Sequence, residues 1–144
     1  MVACLQAVPW LERLVVHGHA DADGGNSSTT TIATATLLAC LASPHLRHLE
    51  LHTVTLQVAD HPQEEDCATR LAQALCDNHG LKLWRWRHGR VPTSVLLALA
   101  TAMRDGNRTL RYLDIGHTHG VTDAVAQTLT AAMACNTTFR SLGT

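Results

Sequence analysis

Two histidine pairs are the residues whose type and spacing most suggest chemistry. His17-Gly18-His19 and His117-Thr118-His119 each place two imidazoles on one side of an extended strand, where they would form a metal-binding pair. Zinc sites in proteins need three or four ligands, and no C-x-x-C or H-E-x-x-H motif accompanies either pair. We therefore predict that the chain holds no metal and no other cofactor.

Motifs for catalysis are also missing from the sequence. No G-x-S-x-G elbow presents a nucleophile, and no G-x-x-x-x-G-K-[ST] or G-x-G-x-x-G loop cradles a phosphate. Asp21-Ala22-Asp23-Gly24-Gly25 has the aspartates of a calcium loop but lacks its later ligands and closing glutamate. It belongs to a turn-rich segment ending at Thr31, which we expect to be a surface loop. The sequence predicts a protein that is not an enzyme.

Composition limits the remaining classes. A chain of 144 residues predicts a single domain over residues 1–144. The net charge of −1 does not favour a nucleic-acid or membrane binder, and no apolar run is long enough to span a bilayer. Five scattered cysteines show no paired framework, which favours a reducing compartment and a cytoplasmic location.

An internal repeat must position any functional side chain. Its clearest copy, Leu110-Arg111-Tyr112-Leu113-Asp114-Ile115, alternates apolar and polar residues as a strand with one buried face does. Apolar residues at helical spacing follow each copy. Asn78, Asn107 and Asn136 each lie three residues before the next copy, where we predict that they end a helix in the left-handed conformation. The copies begin at Leu11, Leu46, Leu81, Leu110 and Phe139.

This recurrence of L-x-x-L-x-L resembles the leucine-rich repeats of the ribonuclease-inhibitor type. The resemblance implies a right-handed α/β solenoid of about four and a half repeats, with parallel strands on the concave side and helices on the convex side. The family usually has Asn or Cys three residues after the last strand leucine, where it bonds the turn backbone. Because the chain departs from this pattern, we expect that turn ladder to be missing or replaced. The departing residues are His19, Val54, Gly89 and Thr118.

Strand alternation assigns one face of the sheet to the core. The predicted buried pairs include Trp84 and Trp86, which would fill space beneath the helices. A one-residue slip in register would instead expose both tryptophans as an aromatic binding platform. The other predicted buried positions are Leu14, Val16, Leu49, Leu51, Leu113 and Ile115.

The opposite face carries columns of side chains from successive strands. The predicted columns are Arg13-His48-Leu83-Tyr112-Ser141, Val15-Glu50-Arg85-Asp114 and His17-His52-Arg87-Gly116. The positions before the strands form a rim that is basic in four of five places, and it is either a solvated edge or a strip for an acidic partner. The rim residues are Glu12, Arg47, Lys82, Arg111 and Arg140.

These features predict a non-catalytic module or scaffold that binds a partner protein through the concave face. Reversing the charges of Arg85 and Arg87 should then abolish binding without changing the thermal midpoint. An alternative is a structural subunit, or a fragment of a longer repeat protein, that associates end-on through uncapped edges. The predicted contact residues are Arg13, Arg47, His48, Glu50, His52, Arg85, Arg87, Tyr112 and Asp114.

Overall fold

Strands and helices alternate along the chain. The computed structural model describes residues 10–18, 30–58 and 62–143. In order, these form β1 (Arg13–His17), β2 (Thr30–Ala33), α1 (Thr34–Ala42), β3 (His48–His52), β4 (Val54–Gln57), α2 (Pro62–Asp77), β5 (Leu83–Arg87), α3 (Thr93–Asp105), β6 (Tyr112–Asp114), α4 (Asp123–Cys135) and β7 (Ser141–Gly143).

The main sheet contains five parallel strands in the order β1-β3-β5-β6-β7. The predicted mixture of a parallel sheet and helices is therefore confirmed. The pairing joins residues that occupy equivalent positions in the repeat. One such row runs Leu14, Leu49, Trp84, Leu113 and Leu142.

A second, smaller parallel sheet was not predicted. In it, β2 pairs with β4, and single bridges continue the row from Thr55 to Arg90 and from Arg90 to His119. The expectation of a surface loop through Thr31 is wrong at its end, because β2 begins at Thr30. The β-branched run that includes buried Ile32 favours a strand there. Residues 19–29 of the expected loop lie outside the described residues.

The core lies between the main sheet and the helices, which pack side by side in chain order. Trp84 and Trp86 are each only 2% exposed, so the slipped register with an aromatic platform is wrong. The Trp86 indole donates a hydrogen bond to the Val54 carbonyl at 2.8 Å, whereas Trp84 Nε1 has no partner among the described residues. Leu14 and Val16 were predicted to be buried, but on the edge strand β1 they are only half-buried.

Three buried asparagines connect neighbouring units. The Asn107 amide donates to the carbonyls of Leu75 (2.6 Å) and Asn78 (3.1 Å), at the C-terminal end of α2, the helix before α3. Its Oδ1 accepts from the backbone N–H groups of Thr109 and Leu110, just before β6. Asn78 and Asn136 make equivalent bonds. We call this set the asparagine ladder.

The predicted left-handed conformation of these asparagines is wrong. The non-glycine residues with positive φ among the described residues are Thr53, His88 and His117. Asn136 has φ −101° and ψ 99°, which is extended backbone. The asparagines therefore end the helices with their side-chain amides, and the polypeptide does not need a left-handed turn there.

Other groups replace the turn ladder of the repeat family. The Thr118 hydroxyl donates to the Trp86 carbonyl at 2.6 Å, and the Trp86 indole in turn reaches Val54. Gly89 allows this close approach, since a Cβ atom there would lie 2.0 Å from the Val54 carbonyl oxygen. His19 lies outside the described residues.

Replacing Asn107 with alanine should lower the free energy of unfolding by about 3 kcal/mol, because several buried backbone groups lose their partners together. Urea denaturation followed by far-UV circular dichroism measures the loss. Thr128→Ala removes an exposed hydroxyl-to-carbonyl bond on α4 and is the control, with an expected change within about 0.5 kcal/mol. Equal stability of Asn107→Ala and wild type would show that the asparagine ladder does not hold the units together.

Substitution of the two core tryptophans by phenylalanine should change stability by different amounts. Both substitutions remove similar buried volume, but only Trp86→Phe also breaks a hydrogen bond, the one to Val54. Trp86→Phe should therefore be about 1 kcal/mol less stable than Trp84→Phe in the same urea experiment. A larger loss for Trp84→Phe would contradict this assignment of indole partners.

Candidate functional site

The surface of the main sheet that faces away from the helices, here called the outer face, carries the predicted columns. The pairing aligns Arg13, His48, Leu83, Tyr112 and Ser141 in one row. A second row contains Val15, Glu50, Arg85 and Asp114, and a third contains His17, His52 and Arg87. Gly116 lies beyond β6, where its carbonyl accepts from the backbone N–H of His88 at 3.4 Å.

Five charged side chains of the outer face form one continuous set of ion pairs. Glu50 binds Arg13 at 2.7 Å through one carboxylate oxygen and Arg85 at 2.6 Å through the other. Arg85 also reaches Asp114 at 3.3 Å, and Arg87 lies 2.7 Å from the same Asp114 oxygen. We call these residues the ion-pair ladder. Glu50, Arg85 and Asp114 are neighbours in register on strands about 4.8 Å apart, whereas Arg13 and Arg87 reach these acids from the adjacent columns.

The ladder keeps both of its acids ionised. Burial of Glu50 alone would raise its pKa, but the hydrogen bonds from Arg13 and Arg85 outweigh burial and hold the pKa below its usual value. Burial likewise opposes ionisation of Asp114, and the Arg87 guanidinium with the Gly116 N–H outweighs it and lowers the pKa. The outer face is therefore a fixed arrangement of paired charges at neutral pH.

This pairing changes the predicted contact set. Glu50 is 5% exposed, so its carboxylate is engaged within the chain and is not free for a partner. His52 is half-buried, and its Nε2 lies 3.7 Å from Glu50. Arg85 and Asp114 are partly buried within the ladder. The predicted residues that remain exposed are Arg13, Arg47, His48, Arg87 and Tyr112.

The ion pairs of Arg85 and Arg87 lead us to expect that reversing both charges lowers the thermal midpoint, whereas the sequence alone predicts no change. Carboxylates at these two positions would lie beside Glu50 and Asp114 and would replace three ion pairs with repulsion. The alternating signs in the second column were visible in the sequence. The column pattern alone does not show whether these side chains bind one another or a partner, and the structure pairs them with one another.

The histidines form stacked pairs between strands. His17 stacks on His52 with ring centroids 4.8 Å apart, and His88 stacks on His117 at 4.9 Å. In parallel stacked rings the nitrogen lone pairs lie in separate planes and do not converge on one ion. Within the described parts of the chain, no three His, Cys, Asp or Glu side chains are grouped to hold a metal. His19 lies outside those parts.

The basic rim lies along the start of the main sheet. Backbone bonds link its residues in register, from Arg47 N to the Glu12 carbonyl and onward across the sheet. Arg47 also donates through Nη1 to the Gly80 carbonyl at 3.0 Å. Arg47, Arg111 and Arg140 are exposed, and Lys82 is half-buried. Across residues 10–18, 30–58 and 62–143, none of these four cations forms an ion pair with a carboxylate.

No helix in the described ranges has both the length and the apolar character needed to cross a bilayer. No protein-family model matches the chain, and no curated protein matches it. Among solved structures, the chain is similar to leiomodin-1 actin-binding site 2, with a TM-score of 0.60 and 17% identity over 99% of this chain and 75% of that one. This likeness supports a leucine-rich-repeat-like fold, but it does not support the ribonuclease-inhibitor type in particular.

Glu50→Gln should destabilise the protein by roughly 2 kcal/mol at neutral pH, since it removes the charge shared by Arg13 and Arg85. Because the folded-state pKa of Glu50 is lowered, this stabilisation is complete above the ordinary value of 4.5 and is lost as pH falls through the folded-state value. The difference in free energy of unfolding between wild type and Glu50→Gln should therefore decrease only below about pH 4.5, as measured by urea denaturation at each pH.

The exposed pair Asp66–Arg70 provides the control for this experiment. Asp66→Asn should change stability by less than about 1 kcal/mol at any pH, because both side chains are well solvated. The lowered pKa of Glu50 would be contradicted if the stability difference between wild type and Glu50→Gln stayed constant down to about pH 3, or if it vanished well above about pH 4.5.

Proposed function

We propose that this leucine-rich-repeat-like chain is a non-catalytic interaction module or scaffold that binds a partner protein through the outer face. We infer that the outer face is the concave side of a right-handed solenoid of about four and a half repeats of the ribonuclease-inhibitor type. The observation that carries this proposal is an exposed aromatic side chain on a sheet surface whose charges are already fixed.

Tyr112 is that side chain, and it is 47% exposed. It lies in the first column between half-buried Leu83 and exposed Ser141, beside the ion-pair ladder. Arg13 and Arg87 hold the two ends of the ladder and keep exposed guanidinium surface. Tyrosine and arginine are enriched among residues that dominate binding energy at protein interfaces. Because the ion-pair ladder holds the neighbouring side chains in place, less conformational entropy is lost when a partner binds.

The protonation of the outer face favours binding over catalysis. A general base at neutral pH needs a pKa near 7, whereas the pKa values of Glu50 and Asp114 are both lowered. Their oxygens are also occupied by guanidinium groups. These carboxylates are therefore suited to holding the surface in place and poorly suited to moving protons.

A cytoplasmic location belongs to the same proposal. Among the described residues, Cys40, Cys67, Cys76 and Cys135 form no disulfide, and Cys40 and Cys67 are buried. Burial raises the pKa of the Cys40 thiol to about 11, which keeps it protonated. Buried thiols that act as small apolar residues suit a reducing compartment.

A second candidate function is structural, namely end-on association of copies or of further repeats. β1 and β7 are the outer strands of the main sheet in the described part of the chain, and Val15 on β1 is 38% exposed. Open strand edges favour pairing with another strand. Light scattering separates the candidates, because end-on association requires a mass that grows with concentration.

Tyr112→Ala should weaken partner binding by about 2 kcal/mol, roughly thirtyfold in Kd, without lowering the thermal midpoint appreciably. Capture from a native lysate with the wild-type chain identifies the partner, and calorimetry with that purified partner measures Kd. The solved neighbour is named for an actin-binding site, so purified actin is the first protein to test.

Met133 provides the matched control for Tyr112. It is 39% exposed and lies on α4, on the helix side of the molecule. Met133→Ala should leave Kd unchanged if the outer face is the binding surface. Loss of binding in Met133→Ala together with full binding in Tyr112→Ala would place the partner on the helices and refute the proposal.

A further inference from the structure

Within the described residues, the cations of the basic rim, unlike those of the neighbouring ion-pair ladder, are not neutralised by carboxylates. Each arginine of the ladder lies against a carboxylate, whereas the rim cations lack one in the part of the chain that the structure describes. Lys82 shows the effect of this arrangement. Burial lowers its pKa first, and the positive charges of Arg111 and Arg47 lower it further. The centre of the rim is thus a region of unneutralised positive charge in a chain of net charge −1.

The backbone gives the rim a fixed spacing. Lys82 N bonds to the Arg47 carbonyl at 2.8 Å, Arg111 N to the Lys82 carbonyl at 2.9 Å, and Arg140 N to the Arg111 carbonyl at 2.7 Å. The four cations therefore start from successive strands that lie about 4.8 Å apart, and together they cover about 14 Å.

This length is close to that of one stripe of an α-helix. Acidic residues that recur every three or four positions advance by about 5.4 Å per turn, so four of them cover about 16 Å along one side. An extended peptide fits less well, since its same-side residues are about 6.8 Å apart and four of them cover about 20 Å. A nucleic acid is disfavoured by the net negative charge of the chain, which repels a polyanion outside the rim.

We propose that the basic rim is a docking site for an acidic α-helix of a partner protein, with one carboxylate per helical turn facing Arg47, Lys82, Arg111 and Arg140. This site is separate from the outer-face surface around Tyr112. It extends the proposed function by a second contact of defined chemistry, and it stands or falls independently of the first.

The probe is a labelled alanine- and glutamine-based helical peptide whose glutamates recur on one stripe. A second peptide has the same composition with the glutamates distributed around the helix. Fluorescence anisotropy with the full chain should show binding of the striped peptide about tenfold tighter than binding of the distributed one. Affinity should fall as salt is raised, because exposed ion pairs are screened over about 8 Å at physiological ionic strength.

The variant Lys82→Gln/Arg111→Gln removes the two central cations. It should lose at least about tenfold in affinity while its thermal midpoint is unchanged or higher, since repulsion within the rim is relieved. Arg90→Gln, at an exposed cation outside the rim, should keep wild-type affinity. Tyr112→Ala should also keep it, which distinguishes failure of this site from failure of the outer-face proposal.

Four results would overturn the proposal. They are no detectable binding of the striped peptide, equal binding of the two peptides, equal or tighter binding of a single-stranded oligonucleotide, and unchanged affinity in Lys82→Gln/Arg111→Gln. Circular dichroism of both peptides establishes that each is helical, so that unequal binding reports the position of the carboxylates.

Discussion

The buried side-chain amides of the asparagine ladder are the interaction on which the other features depend. Each amide has donors and acceptors on one planar group, so it can hold the end of one helix and the start of a later strand together. Asn107 does this between α2 and β6, and Asn136 repeats it between α3 and β7. The starts of β5, β6 and β7 are thereby fixed relative to the helices before them. Strand register follows from that constraint.

Register in turn decides the electrostatics of the exposed surfaces. With equivalent residues side by side, Glu50 lies between Val15 and Arg85, and Asp114 lies on the far side of Arg85. Alternating charges one strand apart neutralise each other. One position before the strands, the same register places like charges side by side, so the basic rim stays unneutralised. A single backbone constraint therefore produces one balanced surface and one positive strip.

The outer face and the basic rim would contribute to partner binding in different ways. The outer face offers shape, an exposed tyrosine and fixed charges, which favour specific contact at short range. The rim offers net positive charge, which acts over longer distances and orients a partner before contact. A partner with an acidic helix beside a surface complementary to Tyr112 could use both. The leucine-rich-repeat-like fold accommodates both, because exposed residues vary without disturbing the buried rows.

The sequence by itself determined the alternation of strands and helices, the parallel sheet and the buried positions Leu49, Trp84 and Leu113, because periodicity is a local property of the chain. It did not determine the second sheet or the backbone conformation at Asn136, since both depend on contacts with neighbouring units. The same holds for the charges. The columns were predictable from the sequence. Only the tertiary structure decided that Glu50 and Asp114 form ion pairs with arginines of adjacent strands, whereas the rim cations form none in the described residues. Those outcomes depend on distances of a few ångströms between residues far apart in sequence.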